Sequence, residues 1–128
     1  MWVRFIGFGL AMLIAAPAQA EWVLVAEGAT GSAWYMDAAR VTKKSGRVQA
    51  WAKIDYSRDA SVKYRSEMRL FSFICDDRKF KVLSYTEYDS YGKVVGTNSV
   101  NDTLSAYDYQ PVTPESIVEG LLLAACAL

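Results

Sequence analysis

Histidine is absent from the 128 residues. Without an imidazole there is no Ser-His or Cys-His nucleophile pair, no histidine general base and none of the commonest metal ligand. Also missing are a glycine-rich phosphate loop, a Cys-x-x-Cys pair and an alternating-acid calcium loop. An enzyme is therefore not expected, and neither is a metal or a cofactor. Charge of one sign is lacking as well, since 14 basic residues face 14 acidic ones. That balance points to neither nucleic acid nor an anionic membrane surface as a partner.

The longest apolar stretch lies in the first twenty residues. Arg4 supplies a positive start, Phe5 to Ala16 an apolar stretch, and Ala18-Gln19-Ala20 a small-residue cleavage site, the pattern of a secretory signal peptide over 1–20. The stretch is interrupted by Gly7 and Gly9 and stopped by Pro17, and it is short beside the roughly 20 apolar residues a membrane span needs. No cysteine follows the cleavage site to accept a lipid anchor, so a periplasmic or secreted product is expected. Residues 21–128 then form one domain of 128 − 20 = 108 residues; loss of Arg4 leaves 13 basic against 14 acidic groups.

The cysteines number two, Cys75 and Cys126. In an exported chain they are most simply a structural disulfide, the alternatives being a redox-active or intermolecular pair. Closing a loop of about fifty residues adds on the order of 4 kcal/mol by the chain-entropy argument.

Alternation of apolar and polar residues predicts strands over Trp22 to Ala26, Ala33 to Asp37, Arg47 to Tyr56, Lys63 to Cys75, Lys79 to Asp89 and Val94 to Val100. Val48, Ala50, Ala52, Ile54 and Tyr56 share one face of the third run, with Trp51 among polar neighbours on the other. In the fourth run the apolar pattern becomes two-sided near Leu70, which requires cover on both faces. After a polar loop, Pro111-Val112-Thr113-Pro114-Glu115-Ser116 introduces the one convincing helix, with Thr113 as its expected cap, Pro114 at its first position and Glu115 in its first turn. Ile117, Val118, Leu121, Leu122 and Ala125 would face the sheet. The expected fold is α+β: an antiparallel sheet of about six strands packed by a C-terminal helix, with one disulfide.

Candidate partner-binding residues are Trp51, Arg65, Arg69, Lys79, Lys81 and Tyr85, each expected on a polar strand face. Arg65 and Arg69, with Glu67 between them, read as a cross-strand charge ladder. Tyr85, Tyr88, Tyr91, Tyr107 and Tyr109 suggest a second surface, for a small ligand or glycan. The acid pairs Asp76 with Asp77 and Glu87 with Asp89 lack a tunable partner for catalysis. Asn101-Asp102-Thr103 is an N-glycosylation sequon, relevant only to a eukaryotic secretory route.

Taken in order, Trp22, Trp34-Tyr35-Met36-Asp37, Val48-Gln49-Ala50-Trp51, Phe73-Ile74-Cys75, Tyr88, Tyr91-Gly92-Lys93-Val94-Val95, Pro111 to Ser116 and Ala125-Cys126 resemble the surface-adhesin protein E family of Gram-negative bacteria across nearly all of residues 21–128. The resemblance implies a helix-flanked antiparallel sheet with its cysteines bonded. It also implies a non-enzymatic binding function, because the family's namesake engages host extracellular-matrix proteins and plasminogen. Two departures stand out: the lipid-bearing cysteine is missing, and the namesake's lysine-rich segment is reduced to Arg78-Lys79-Phe80-Lys81. The expected partner is thus a protein of the extracellular matrix or of the cell envelope. A periplasmic small-ligand or glycan module, or a structural envelope component forming a homodimer, is the alternative.

Overall fold

The computed structural model describes residues 19–100 and 108–128. Most of the expected signal segment, the Asn101-Asp102-Thr103 sequon and Tyr107 lie outside the described residues. Eight strands and one helix are present among those described: β1 (Trp22–Glu27), β2 (Ala33–Asp37), β3 (Thr42–Lys44), β4 (Arg47–Asp55), β5 (Ser66–Ile74), β6 (Lys79–Tyr88), β7 (Val94–Ser99), β8 (Gln110–Pro111) and α1 (Ile117–Ala127). None of the described helical residues forms a span long and apolar enough to cross a membrane.

All pairings are antiparallel, and the sheet runs β1-β2-β4-β5-β6-β7. The six expected strands are all present. Two short ones were not expected, and each completes a row: β2 and β3 occupy successive stretches of one edge of β4, and β7 and β8 do the same along β6. The corner between β2 and β3 is held by Asp37, a buried carboxylate that accepts from the Glu21 and Ala39 amides at 2.9 and 3.0 Å and lies 3.4 Å from Arg40 Nε. The β3–β4 hairpin turns through Ser45 and Gly46, both with positive φ (50° and 75°), the conformation that two-residue hairpin loops demand. Pro111 is accommodated because β8 is only two residues long and pairs with β6 at the margin.

The core lies on one face of the sheet. Trp34 and Met36 of β2, Val48, Ala50, Ala52 and Ile54 of β4, and Phe71 and Phe73 of β5 meet Leu121, Leu122 and Ala125 of α1. The alternation in β4 is realised without exception, and its two alanines keep the surface low where the helix lies. Burying each large branched or aromatic side chain here is worth roughly 1.5–3 kcal/mol against its exposure. The helix crosses β1, β2, β4 and the Phe71 end of β5, leaving β6 and β7 beyond it. Its last turn is tied to the end of β5 by the Cys75–Cys126 disulfide, with Cα atoms 6.0 Å apart.

The helix begins later than the sequence suggests. Its cap is Ser116, not Thr113: Ser116 Oγ accepts from the Glu119 amide at 3.2 Å, and Glu119 Oε1 receives the Glu115 amide at 3.3 Å. This is a variant of the Ser-x-x-Glu capping box in which the glutamate takes the amide of the residue before the cap and not that of the cap itself. Glu115 consequently sits outside the helix with φ 62°. Glu119 also receives Arg78 Nη2 at 2.6 Å, linking the helix start to the β5–β6 turn.

Candidate functional site

Because the helix covers one face only, the opposite face is free of any described helix. Register fixes what it carries. Trp51 stands opposite Leu70, Lys53 opposite Met68, Gln49 opposite Ser72 and Arg47 opposite Ile74; on the next strand Lys79 pairs with Ile74 and Lys81 with Ser72. Tyr35 faces Lys53 from β2. The result is a half-buried patch of Trp51, Met68 and Leu70 with Lys53 beside it, while Arg47 and Lys79 stand two rows further on, past Ser72. Asp55 closes one end, its carboxyl held below the usual range chiefly by the Ser57 amide, which donates at 2.8 Å.

A second segment lies over the far end of this face. Tyr109, just before β8, is buried, and its hydroxyl lies 2.8 Å from Ser72 Oγ. Lys81 meets Asp108 at 3.5 Å and is only 13 % exposed. Ser72 is therefore covered although it points away from the helix, which explains the two-sided burial near Leu70.

The six candidate residues do not share one surface. Trp51, Lys79 and Lys81 lie on the helix-free face, with Lys81 largely covered. Arg69 and Tyr85 pair with each other on the helix side, continuing the row of Phe71 and Phe73. There Arg69 grips Glu67 through Nε and Nη2 at 2.8–3.1 Å and stands over the rings of Trp34 and Phe71 at 5.3 and 5.8 Å. Glu67 is 2 % exposed and takes a further bond from the Tyr56 hydroxyl at 3.2 Å. The pair is thus an inward-facing bond along one strand, not a cross-strand ladder on a wet face. An inward carboxylate is tolerated because its oxygens are fully occupied.

Arg65 belongs to neither face. Its guanidinium donates to the carbonyls of Tyr56 (3.0 Å), Asp59 (3.4 Å) and Val62, stapling the loop between β4 and β5. Asp59 in that loop accepts from Thr30 and Ser61, and these bonds hold its carboxyl below the ordinary value.

The tyrosines do not form one cluster. Tyr91 is 94 % exposed at the β6–β7 turn. Tyr85 points to the helix side, whereas Tyr88 pairs with Ser66 and Tyr109 reaches Ser72, six residues away along β5 and so about 20 Å apart. Of the acid pairs, Asp76 and Asp77 are exposed in a turn, and Asp89, which lines one hollow with Glu87, accepts the Tyr91 and Lys93 amides at 2.9 Å to close its hairpin. No group of three or more His, Cys, Asp or Glu among the described residues is placed to hold a metal.

Residues 22–127, from the first residue of β1 to the last of α1, match the family described as Surface-adhesin protein E. The chain belongs to that family. No curated protein and no solved structure matches it. On the helix-free face Met68, Leu70, Arg47 and Lys53 are the residues that pattern alone did not single out. Met68 and Leu70 alternate with Glu67 and Arg69, so only the β4–β5 register shows them beside Trp51.

Proposed function

We propose that this adhesin E domain is an exported, non-enzymatic binding protein that holds a protein partner on its helix-free sheet face. The observation that carries the proposal is the position of Trp51, set beside Leu70 and Met68 with cations on its margins and no described helix over it. An aromatic anchor with aliphatic neighbours and a polar rim is the anatomy of a protein-binding hot spot. Lys53 beside the patch, with Arg47 and Lys79 farther along the same face, favours a partner whose complementary patch is acidic, which would raise the association rate more than the final affinity. A matrix or envelope protein meets this description; export through the signal segment gives access to either.

The test is binding of the oxidised protein to immobilised extracellular-matrix proteins and to separated proteins of its own envelope, compared with Trp51→Ala and Lys79→Ala. Trp51→Ala should weaken capture at least about tenfold, the usual effect of truncating a buried aromatic anchor. Lys79→Ala should slow association, and the difference should fade at high salt. Unchanged affinity in Trp51→Ala for every captured protein would sink the assignment of this face.

A further inference from the structure

On the other face, beyond the reach of α1, β5, β6 and β7 form the floor of an open trough. Two rows of the register define it. Glu67 pairs with Glu87 and Glu87 with Gly96; Arg69 pairs with Tyr85 and Tyr85 with Asn98. Tyr64, entering β5, forms a wall. The trough holds about 330 Å³ over Arg69 and Tyr85 and continues into a neighbouring hollow of about 620 Å³ beside Val62 and Val95, the two meeting at Tyr64 and Glu87.

At and around that junction three carboxylates, Glu67, Glu87 and Asp89, face two cations, Arg69 and Lys63. Arg69 is committed to Glu67 and leans toward Trp34, away from β6. The carboxylate of Glu87, half-buried and directly opposite Glu67, has no hydrogen bond or ion pair among the described residues. Like charges facing each other across an antiparallel pair oppose folding. Nor does Glu87 swing clear: its carboxylate lies over Gly96, where a Cβ would come within 2.7 Å of Oε2. Glycine in a strand interior weakens it and often marks close approach of another group. Here it makes room for a carboxylate that no cation among the described residues bonds, although Lys63 lines the same hollow. Tyr64 feels the same field, its hydroxyl raised above the ordinary value by burial first and then by Glu67 and Glu87.

We infer that this trough receives a basic side chain, lysine or arginine, of a protein partner, with Glu87 as its counter-ion and the rings of Tyr64 and Tyr85 as its walls. A cationic head between aromatic rings and a carboxylate gains both cation–π attraction and a charge-assisted hydrogen bond. The aliphatic stem of such a side chain suits the apolar margin, where Val95 is 54 % exposed. A polypeptide donor suits a trough that continues past Glu87 along β7 better than a small enclosed ligand does. The site is separate from the Trp51 face and stands without it.

The test is titration of the oxidised protein with the peptides acetyl-Gly-Lys-Gly-amide, its arginine counterpart and its norleucine counterpart, followed by NMR of the Tyr64 and Tyr85 rings and the Asn98 amide. The two basic peptides should give saturable shifts at these three positions and the norleucine peptide none. Glu87→Gln removes a repulsion and should fold at least as stably, yet raise the dissociation constant about tenfold or more; Tyr85→Leu should also weaken binding. Equal shifts with norleucine, no saturation, or an unchanged constant in both variants would overturn the site. Butylammonium binding as tightly as the lysine peptide would overturn the polypeptide donor. Trp51→Ala should leave the titration unaltered, so failure of the Trp51 face and failure of the trough are read separately.

Discussion

Ser72 Oγ and the Tyr109 hydroxyl lie 2.8 Å apart, both buried, across 37 residues of chain. The contact closes the far end of the helix-free face and decides how much of that face a partner can reach. Tyr109→Phe keeps the ring and leaves the Ser72 hydroxyl without this partner, so it should cost about 1 kcal/mol by denaturant unfolding. Tyr109→Ala should cost roughly 3–5 kcal/mol, as for other large aromatic truncations.

Removing Arg69 leaves Glu67 buried without its cation. Arg69→Met should therefore destabilise by about 3–5 kcal/mol, whereas Glu67→Gln combined with Arg69→Met should recover much of the loss. Urea unfolding of the single and double variants measures the coupling directly. Additive losses would mean that the pair does not act as a unit.

Reduction of Cys75–Cys126 opens a loop spanning 51 positions, which the chain-entropy argument values at about 4 kcal/mol. Cys75→Ala with Cys126→Ala should show a lower denaturation midpoint by a corresponding amount.

Tyr56 donates to Glu67, and its hydroxyl is raised well above its ordinary value, mainly by burial and next by the Glu67 charge. The folded form thus holds the proton longer than the unfolded form. Its contribution to stability is complete below about pH 10 and falls as pH rises beyond it, because the unfolded state ionises first. Alkaline unfolding should be shallower above that pH in Tyr56→Phe, a comparison that circular dichroism can make.

Much of this architecture was legible from periodicity. The run from Val48 to Ile54 alternates so regularly that its buried face is evident, and the helix with its Leu121, Leu122 and Ala125 face is equally plain. Two cysteines in a chain whose sequence reads as exported pointed to their bond. The binding residues were harder because they depend on register. Arg69 looks wet in sequence, yet it stands opposite Ala52, beside the Ile54–Glu67 row, where Tyr56 and Trp34 make an inward ion pair tolerable. Met68 and Leu70 look interior by the same alternation and lie on the helix-free face instead. β3 and β8, three and two residues long, carry too little pattern to be read without the strands they extend. Ser116 outcompetes Thr113 as a cap because Glu119 stands three positions after it, a pairing that composition near the prolines obscures.

The Cys75–Cys126 bond also sets how the domain bears tension. A pull on the chain beyond Cys126 is passed through the sulfur bridge into the end of β5, in the middle of the sheet, so the covalent loop of β6, β7, β8 and α1 stays slack. A pull on the opposite end falls on β1, an edge strand held chiefly by β2 and the helix among the described residues. Under load the domain should therefore yield from β1, peeling one hydrogen-bonded rung at a time, while the stapled half keeps its shape.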